Sequence, residues 1–190
     1  PYLVQIPKPK KKLSLQARLI WSGVALLIYQ VMGQTPLFGA TAPQFDFLQF
    51  ARVIFASQQG TLNELGIGPI VTAGLLMQLL KGSEILKFDF TKPDERGVFQ
   101  TATKLVTYIV IIVEASVYAS AVYGPGLANH NVLFVIIGQL ISASIIIMLL
   151  DELVQKGWGL GSGISLFIAA GVTQQMLWNF FSPLPAGDGG

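Results

Sequence analysis

Glu114 is the residue with the clearest potential for chemistry, because it is the one Asp, Glu, Lys or Arg in the long apolar stretch from 105 to 150. A carboxylate at the centre of a bilayer costs at least about 2.5–3.5 kcal/mol, so such an acid faces a partner or water. Thr107 and Tyr118 extend a polar stripe along the same helix face. A proton- or ion-coupling site is one interpretation, and a hydrogen bond between helices or a gate surface is the other. A coupling site favours a second charged group in another apolar segment, and the sequence offers none.

Nucleotide chemistry is suggested by the glycine-rich run GWGLGSG at 157–163. A dinucleotide site needs a preceding strand, whereas here an apolar helical segment ending in Asp151-Glu152 comes first. The run is therefore interpreted as a flexible cytosolic turn, with Ser162 capping the following helix.

The sequence contains almost none of the residues that metal binding or thiol chemistry requires. The sequence has no cysteine and one histidine, His130, which excludes a disulfide framework, a thiolate zinc site and a cysteine nucleophile. His130 lies between two asparagines and is interpreted as a solvated loop residue. We expect no catalytic residue, no cofactor and no metal site.

The composition places the chain in a membrane. Of its 190 residues, 52% are hydrophobic and 12% charged, and its mean hydropathy is +0.60. Soluble domains carry roughly a quarter charged residues, so this chain cannot cover a surface that faces water.

The runs without charged residues locate the membrane segments, each of which needs about 20 mostly apolar helical residues. These runs are 19–45, 65–80, 115–150 and 157–187. They predict an all-α protein with five transmembrane helices. The predicted helices are Leu19–Pro36, a short helix over 65–80 that continues past Lys81 if that side chain snorkels, two within 105–150 that are divided at Gly124–Gly126 and Asn129–Asn131, and Ile164–Phe181.

The basic residues predict the orientation. Eleven of the 12 lysines and arginines precede the first helix or fall between helices two and three or four and five, and only Arg52 falls on the other side. Because cytoplasmic loops carry the excess of Lys and Arg, the N-terminus is expected in the cytosol and the C-terminus outside. The basic run before the first helix is also compatible with binding anionic lipid or RNA. A signal peptide cleaved near Ala40-Thr41-Ala42 is disfavoured, because the apolar stretch exceeds the usual roughly 7–15 residues.

The segment 46–68 differs from an ordinary span. It is too polar to face lipid and too apolar for a solvated loop, and Gly60, Gly66 and Gly68 surround a stretch expected to form one to two helical turns. Irregular backbone near a membrane survives only when it is buried in protein or lines a watery cavity. An interfacial re-entrant loop and a mobile piece resting in a cavity between spans are both open.

Aliphatic residues recur at helical spacing directly after this segment and again in the fifth helix. Ile67, Val71 and Leu75 share one helix face, as do Ile164 and Ile168. Such stripes are usually lipid-facing or part of a bundle core.

Three runs of this sequence resemble SecY, the protein-conducting channel of the Sec translocon, in its archaeal form. They are TPLFG, GTLNELGIGPIVTAGLLMQLL and LLDELVQKGWGLGSGISLFIAAG. The family has ten helices in two inverted halves, so the resemblance implies the first half: a cytosolic segment 1–18, a five-helix membrane half-domain 19–181 and an external tail or hinge 182–190. Pro1 as first residue favours a partial chain.

The resemblance also implies a function and its residues. In the family, a plug made from the broken second helix rests on a ring of aliphatic side chains. Position by position, the ring maps to Ile67, Val71, Ile164 and Ile168, with Leu75 outside it. The plug maps to Ala56, Ser57, Gln58, Gln59, Gly60, Thr61, Leu62, Asn63, Glu64, Leu65 and Gly66.

Thr72 and Glu114 match polar positions of the family's lateral gate, through which signal sequences reach lipid. The implied partners are the SecE/gamma subunit, a beta subunit, the ribosome, a nascent chain, the C-terminal half of the same subunit and membrane lipid, without direct DNA binding. The implied location is the cell membrane of an archaeon, as a multi-pass protein and not an enzyme. The alternative is half of an inverted-repeat secondary transporter with Glu114 as the coupling acid.

Overall fold

The computed structural model describes residues 6–9, 13–40, 55–83, 85, 93–126 and 130–181. Within these ranges the chain forms five α-helices and no β-strand. The helices are α1 (Leu15–Gln34), α2 (Gly68–Gly82), α3 (Pro93–Val122), α4 (His130–Leu153) and α5 (Gly163–Phe181), with short helical turns at Gly124–Gly126 and Val154–Trp158. The predicted tail 182–190 and the predicted outer residue Arg52 lie outside the described residues.

Local capping residues set the helix ends. The Ser14 hydroxyl accepts a hydrogen bond from the Ala17 amide at 3.3 Å, so α1 begins four residues before the predicted Leu19. Helix α1 ends at Gln34, two residues before Pro36, which restricts the backbone ahead of it. Helix α2 has Pro69 in its first turn, where the missing amide hydrogen costs no helical bond.

Two predicted boundaries are wrong. Helix α3 begins at Pro93 and not near residue 105, because a gap in the charges marks the membrane and a helix can continue beyond it into water. Helix α4 begins at His130, so this residue opens a helix and does not lie in a loop. The predicted Ile164–Phe181 differs from α5 by one residue.

In the part of the chain that the structure describes, three helices are long and apolar enough to cross a membrane: Leu15–Gln34, Glu95–Val122 and Asn131–Trp158. Helix α2 has 15 residues, or about 22 Å, and α5 has an apolar stretch over Gly163–Gln174. The chain is an integral membrane protein, and a total of five spans stays a prediction.

Hydroxyl groups inside α3 are satisfied by its own backbone. Thr103, Thr107, Ser116 and Ser120 each donate to the carbonyl oxygen four residues earlier, at 2.7–2.8 Å. Such bonds remove the cost of carrying hydroxyls through an apolar layer.

The buried side chains form two clusters that share residues of the segment between α1 and α2. The first cluster joins α1, the end of α4 and α5 around Tyr29 and Phe167. The second joins α3 and α4 around Ala115, Ala119 and Leu140, where alanines allow close helix contact. Leu62 packs against both clusters.

One end of the bundle gathers basic and indole side chains. Glu152 bridges Lys104 at 2.6 Å and Lys156 at 2.7 Å. The Trp158 indole donates to the Pro7 carbonyl at 2.8 Å and meets Trp21 edge-on, with ring centroids 5.2 Å apart. The start of α1 and the α4–α5 connection therefore lie at the same end.

Asp151 sets the start of α5. Its side chain is buried, Oδ1 accepts from the Ile164 amide at 3.0 Å, and Oδ2 accepts from Gln155 at 2.7 Å. A Cβ on Gly163 would lie 2.6 Å from Oδ1, so glycine is required there. Asp151 therefore accepts the hydrogen bond from the backbone amide at the start of α5, whereas Ser162 was predicted as the capping residue.

We expect Asp151→Ala to lower the free energy of unfolding by about 1–3 kcal/mol, because a helix-terminal amide and Gln155 both lose their acceptor. Asp151→Asn keeps Oδ1 and should cost less. Thermal unfolding in detergent measures both, with Gln155→Ala as the control that removes one partner only. Equal unfolding temperatures for Asp151→Ala and Gln155→Ala would contradict the capping role.

Candidate functional site: a buried polar segment between the helices

Residues 56–66, called here the 56–66 segment, connect through Ile67 to α2 by a series of turns. Amide-to-carbonyl bonds join Glu64 to Thr61 and Gly66 to Asn63, each at 3.0 Å. These bonds span three residues and form turns, so the one to two helical turns predicted here are not present. The remaining backbone groups therefore need partners elsewhere in the protein.

The chain leaving α1 supplies several of those partners. The Leu62 amide donates to the Thr35 carbonyl at 3.0 Å, and the Leu37 amide donates to the Gly60 carbonyl at 2.9 Å. Pro36 and Thr61 form an isolated antiparallel bridge between these bonds. The segment is held by backbone pairing to the end of the first span.

Gly66 brings the end of the segment close to the backbone of Phe55, the residue directly before the segment. Its φ is +54°, and a Cβ there would lie 2.1 Å from the Phe55 carbonyl oxygen. The same oxygen accepts from the Ile67 amide at 2.9 Å. Only glycine permits this approach, and the closure fixes where α2 starts.

Helix α1 contacts the segment through backbone and side-chain atoms. The Tyr29 hydroxyl donates to the Ala56 carbonyl, and the Asn63 amide group donates to the Tyr29 carbonyl at 2.8 Å. A Cβ on Gly33 would lie 3.1 Å from the Gln58 side chain. The absence of a side chain at Gly33 therefore lets the polar segment approach α1.

Helix α5 forms a second wall. Gln58 donates to the Gln174 side-chain oxygen at 3.0 Å, and a Cβ on Gly171 would lie 3.3 Å from the Ala56 Cβ. Phe167 stacks on Tyr29 with ring centroids 4.6 Å apart. These contacts bring α1 and α5 to the same side of the segment.

Helix α3 contributes a cluster around Glu64, whose side chain is 3% exposed. Oε1 accepts from the Tyr118 hydroxyl at 2.6 Å, and Oε2 accepts from the Tyr123 hydroxyl at 2.7 Å and from the Gly60 amide. Glu64 was predicted as part of this segment, whereas Tyr123 was not predicted as its partner and lies 59 residues away along the chain. No periodicity relates residues so far apart.

The four aliphatic residues assigned to a ring lie in one hydrophobic cluster. Ile67 is fully buried, and Val71, Ile164 and Ile168 are partly buried against the same cluster. Leu75 is 55% exposed. The structure thus brings together two helix starts that are almost 100 residues apart in sequence.

Thr72 on α2 and Glu114 on α3 lie near each other at the surface of the bundle. The Thr72 side chain is exposed, and the Glu114 carboxyl group is half-buried. Glu114 Oε2 also lies 3.7 Å from the position of a Cβ on Gly68, so the acid packs against the start of α2.

The polar groups of this site bind one another across the segment and the surrounding helices. Among the residues that the structure describes, no group of three or more His, Cys, Asp or Glu could hold a metal ion. The described donors and acceptors are used to hold one segment between three helices.

These features define the class of protein. It is a helical membrane protein with a buried irregular segment between helices α1 and α2. The chain belongs to the SecY family: the model described as SecY matches residues 61–187, and the model described as the plug domain of Sec61p matches residues 27–60.

Named relatives agree with this family. The protein translocase subunit SecY of Saccharolobus solfataricus is 50% identical over 190 residues, covering 95% of this chain and 39% of the relative. This chain is similar in structure to canine Sec61 in a ribosome–channel complex from the endoplasmic reticulum, with TM-score 0.87 and 40% identity over 95% of this chain and 42% of that one.

A third similar protein is a SecY whose plug domain is described as stabilising the closed translocation channel and maintaining a membrane seal. The TM-score is 0.81 at 38% identity, over 95% of this chain and 41% of that one. This chain spans about 39% of the length of the curated relative above. The relatives are translocases and channels, so the transporter interpretation of Glu114 finds no support among them.

We expect Gly66→Ala to destabilise the protein by more than the roughly 1–2 kcal/mol cost of a left-handed backbone alone, because the added Cβ would meet the Phe55 carbonyl. Gly60→Ala is the matched control, since Gly60 has a φ of +71° with nothing within 4 Å of its Cβ position. Thermal unfolding in detergent compares the two. If Gly60→Ala lowers the unfolding temperature as much as Gly66→Ala does, the close approach at residue 66 has no energetic importance.

Proposed function

We propose that this chain forms the N-terminal half of a protein-conducting channel, which passes secretory polypeptides across the membrane and inserts membrane proteins into it. The observation that carries the proposal is the cluster formed by Ile67, Val71, Ile164 and Ile168 beside the buried 56–66 segment. In this proposal the four side chains are half of a pore ring, and the 56–66 segment is its plug.

An aliphatic ring suits this function physically. It offers neither charge nor hydrogen bonds, so a narrow constriction excludes ions by dewetting. It also has no preference for one polypeptide sequence over another. Ala56 and Leu62 of the proposed plug pack in the same cluster as the ring, which supports a closed state in which the plug covers the constriction.

The absence of native cysteine allows a direct test of the ring. Single cysteines at the four ring positions of the complete subunit should form disulfides with a cysteine in a stalled, signal-bearing nascent chain. Exposed positions Leu27 on α1 and Phe134 on α4 are the controls and should not react. Absence of bonds at all four ring sites, with an engaged nascent chain, would remove the pore assignment.

Thr72 and Glu114 are the proposed lateral-gate residues of this half. Their side chains give the surface of α2 and α3 a polar seam. Such a seam is stable against polar partners and unfavourable against lipid, because an apolar environment leaves its groups unpaired. An apolar signal helix that enters the gate must therefore displace these contacts.

We expect Glu114→Gln to leave translocation active, because an amide keeps a polar group at this position, and to change mainly how hydrophobic a signal must be. Glu114→Leu should admit less hydrophobic signals, since opening no longer exposes a polar group to lipid. Translocation of reporters with graded signal hydrophobicity measures this. Ser120→Leu on an exposed part of α3 is the control, and loss of all translocation in folded Glu114→Gln would argue against a gate role.

The remaining proposals concern topology and partners. We place 1–18 in the cytosol, 19–181 in the membrane as five spans and 182–190 outside or at the start of a hinge. The clustering of Lys104, Lys156 and the N-terminal Pro7 at one end of the bundle supports a cytosolic N-terminus.

The partners proposed are the second half of the subunit, SecE/gamma and beta subunits, membrane lipid, the ribosome and the nascent chain. The canine relative is described in complex with the ribosome, which supports the ribosome among them. The identity with an S. solfataricus protein supports the cell membrane of an archaeon as the location.

A further inference from the structure

We propose that Glu64 is the positioning residue that keeps the plug closed, by binding the hydroxyl groups of Tyr118 and Tyr123. This inference rests on the proposed function of the 56–66 segment and names the contact that decides whether that segment stays in place. The tyrosines belong to α3 and its C-terminal end, whereas Glu64 belongs to the segment.

The geometry favours a strong attachment. Both carboxylate oxygens accept hydrogen bonds at 2.6–2.7 Å from different tyrosines. Tyr123 is fully buried and Glu64 is 3% exposed, so water does not compete in the closed state. A carboxyl group has two oxygens and can accept several hydrogen bonds at once.

The other side-chain hydrogen bonds from the segment to α1 and α5 described here are made by amide groups. Asn63 donates to a backbone carbonyl of α1, and its own Oδ1 has no hydrogen-bond partner among the described residues. Gln58 makes one amide-to-amide bond to Gln174 of α5. The segment touches three helices, and its attachment to α3 is the one that uses a carboxylate.

The hydrogen bonds between Glu64 and the two tyrosines can break and form again when the segment moves. When the segment leaves its site, the carboxylate exchanges tyrosine hydroxyls for water, so the net cost is far smaller than the strength of the bonds in an apolar medium. The bonds therefore bias the segment toward the closed position and still permit its release.

The attachment also connects the plug to the proposed gate. Glu114 lies one helical turn before Tyr118 on α3. A displacement of α3 at the gate therefore moves the hydroxyl that holds Glu64. The plug is released by the same helix that a signal sequence contacts.

The test uses the complete channel reconstituted in planar bilayers without nascent chain, with resting ion conductance as the readout. The variants are Tyr123→Phe, the pair Tyr118→Phe with Tyr123→Phe, and Glu64→Gln. Tyr108→Phe, about three turns earlier on the same helix, is the matched control. Deletion of residues 56–66 gives the conductance of a channel without its plug. The unfolding temperature in detergent is recorded for every variant.

We expect the Tyr118→Phe, Tyr123→Phe pair to raise resting conductance about tenfold, which corresponds to about 1.4 kcal/mol in the closed-to-open equilibrium. Glu64→Gln should raise it less, because an amide still bonds the hydroxyls. Tyr123→Phe should raise conductance by a smaller factor in the Glu64→Gln background than by itself, since the two changes act on the same interaction. Tyr108→Phe should leave conductance unchanged.

When the variants fold, two different results would overturn the inference, and each points to a different cause. If the deletion raises conductance and the tyrosine pair and Glu64→Gln do not, the plug exists but Glu64 does not hold it. If the deletion itself leaves conductance unchanged, the plug assignment fails and the inference fails with it. If the tyrosine pair does not fold, the Glu64→Gln conductance decides: a value equal to that of the unmodified channel refutes the role of Glu64.

Discussion

The polar groups of residues 56–66 have to be satisfied inside the protein, because a bilayer offers no hydrogen bonds to irregular backbone. That requirement explains features that lie far apart in sequence. The chain leaving α1 pairs with the segment between Thr35 and Leu62, and Tyr118 and Tyr123 direct their hydroxyls to Glu64. The positions of α1 and α3 around the segment therefore follow from the hydrogen-bond partners that its polar groups require.

The same segment is apolar on its other surfaces, and this makes its location specific. Ala56 belongs to the cluster shared by α1 and α5, Leu65 packs against the cluster of α3 and α4, and Leu62 contacts both. Burying aliphatic side chains in two clusters and polar groups between them leaves few alternative positions. Gly33 and Gly171 allow α1 and α5 to pack closely against the segment, since a Cβ at either position would lie 3.1–3.3 Å from atoms of the segment.

Sequence patterns predicted the parts of this structure on which lipid imposes a simple condition. The gap in charges over 157–187 located α5 to within one residue, because membrane helices must be apolar. It misplaced the start of α3, since Pro93 and the residues after it are helical in a region with charges. The pairing of Glu64 with Tyr123 and the capping of Ile164 by Asp151 were not predictable, because both join side chains across turns and spans whose packing no local pattern records.

The proposed ring depends on two helix starts and not on helix faces alone. Ile67 is the residue at the beginning of α2, directly after the closed turn at Gly66, and Ile164 is the second residue of α5, where Asp151 binds its amide. Val71 and Ile168 follow four residues later in each helix, so the two starts set the height of all four side chains. Val71, Ile164 and Ile168 lie in helices, where valine and isoleucine have one strongly preferred χ1 rotamer, and Ile67 is fully buried, which limits how far the proposed constriction can change by side-chain rotation. Widening the proposed constriction therefore requires α2 and α5 to move apart, and such a movement also draws α5 away from its contacts with Gln58 and Ala56 of the 56–66 segment.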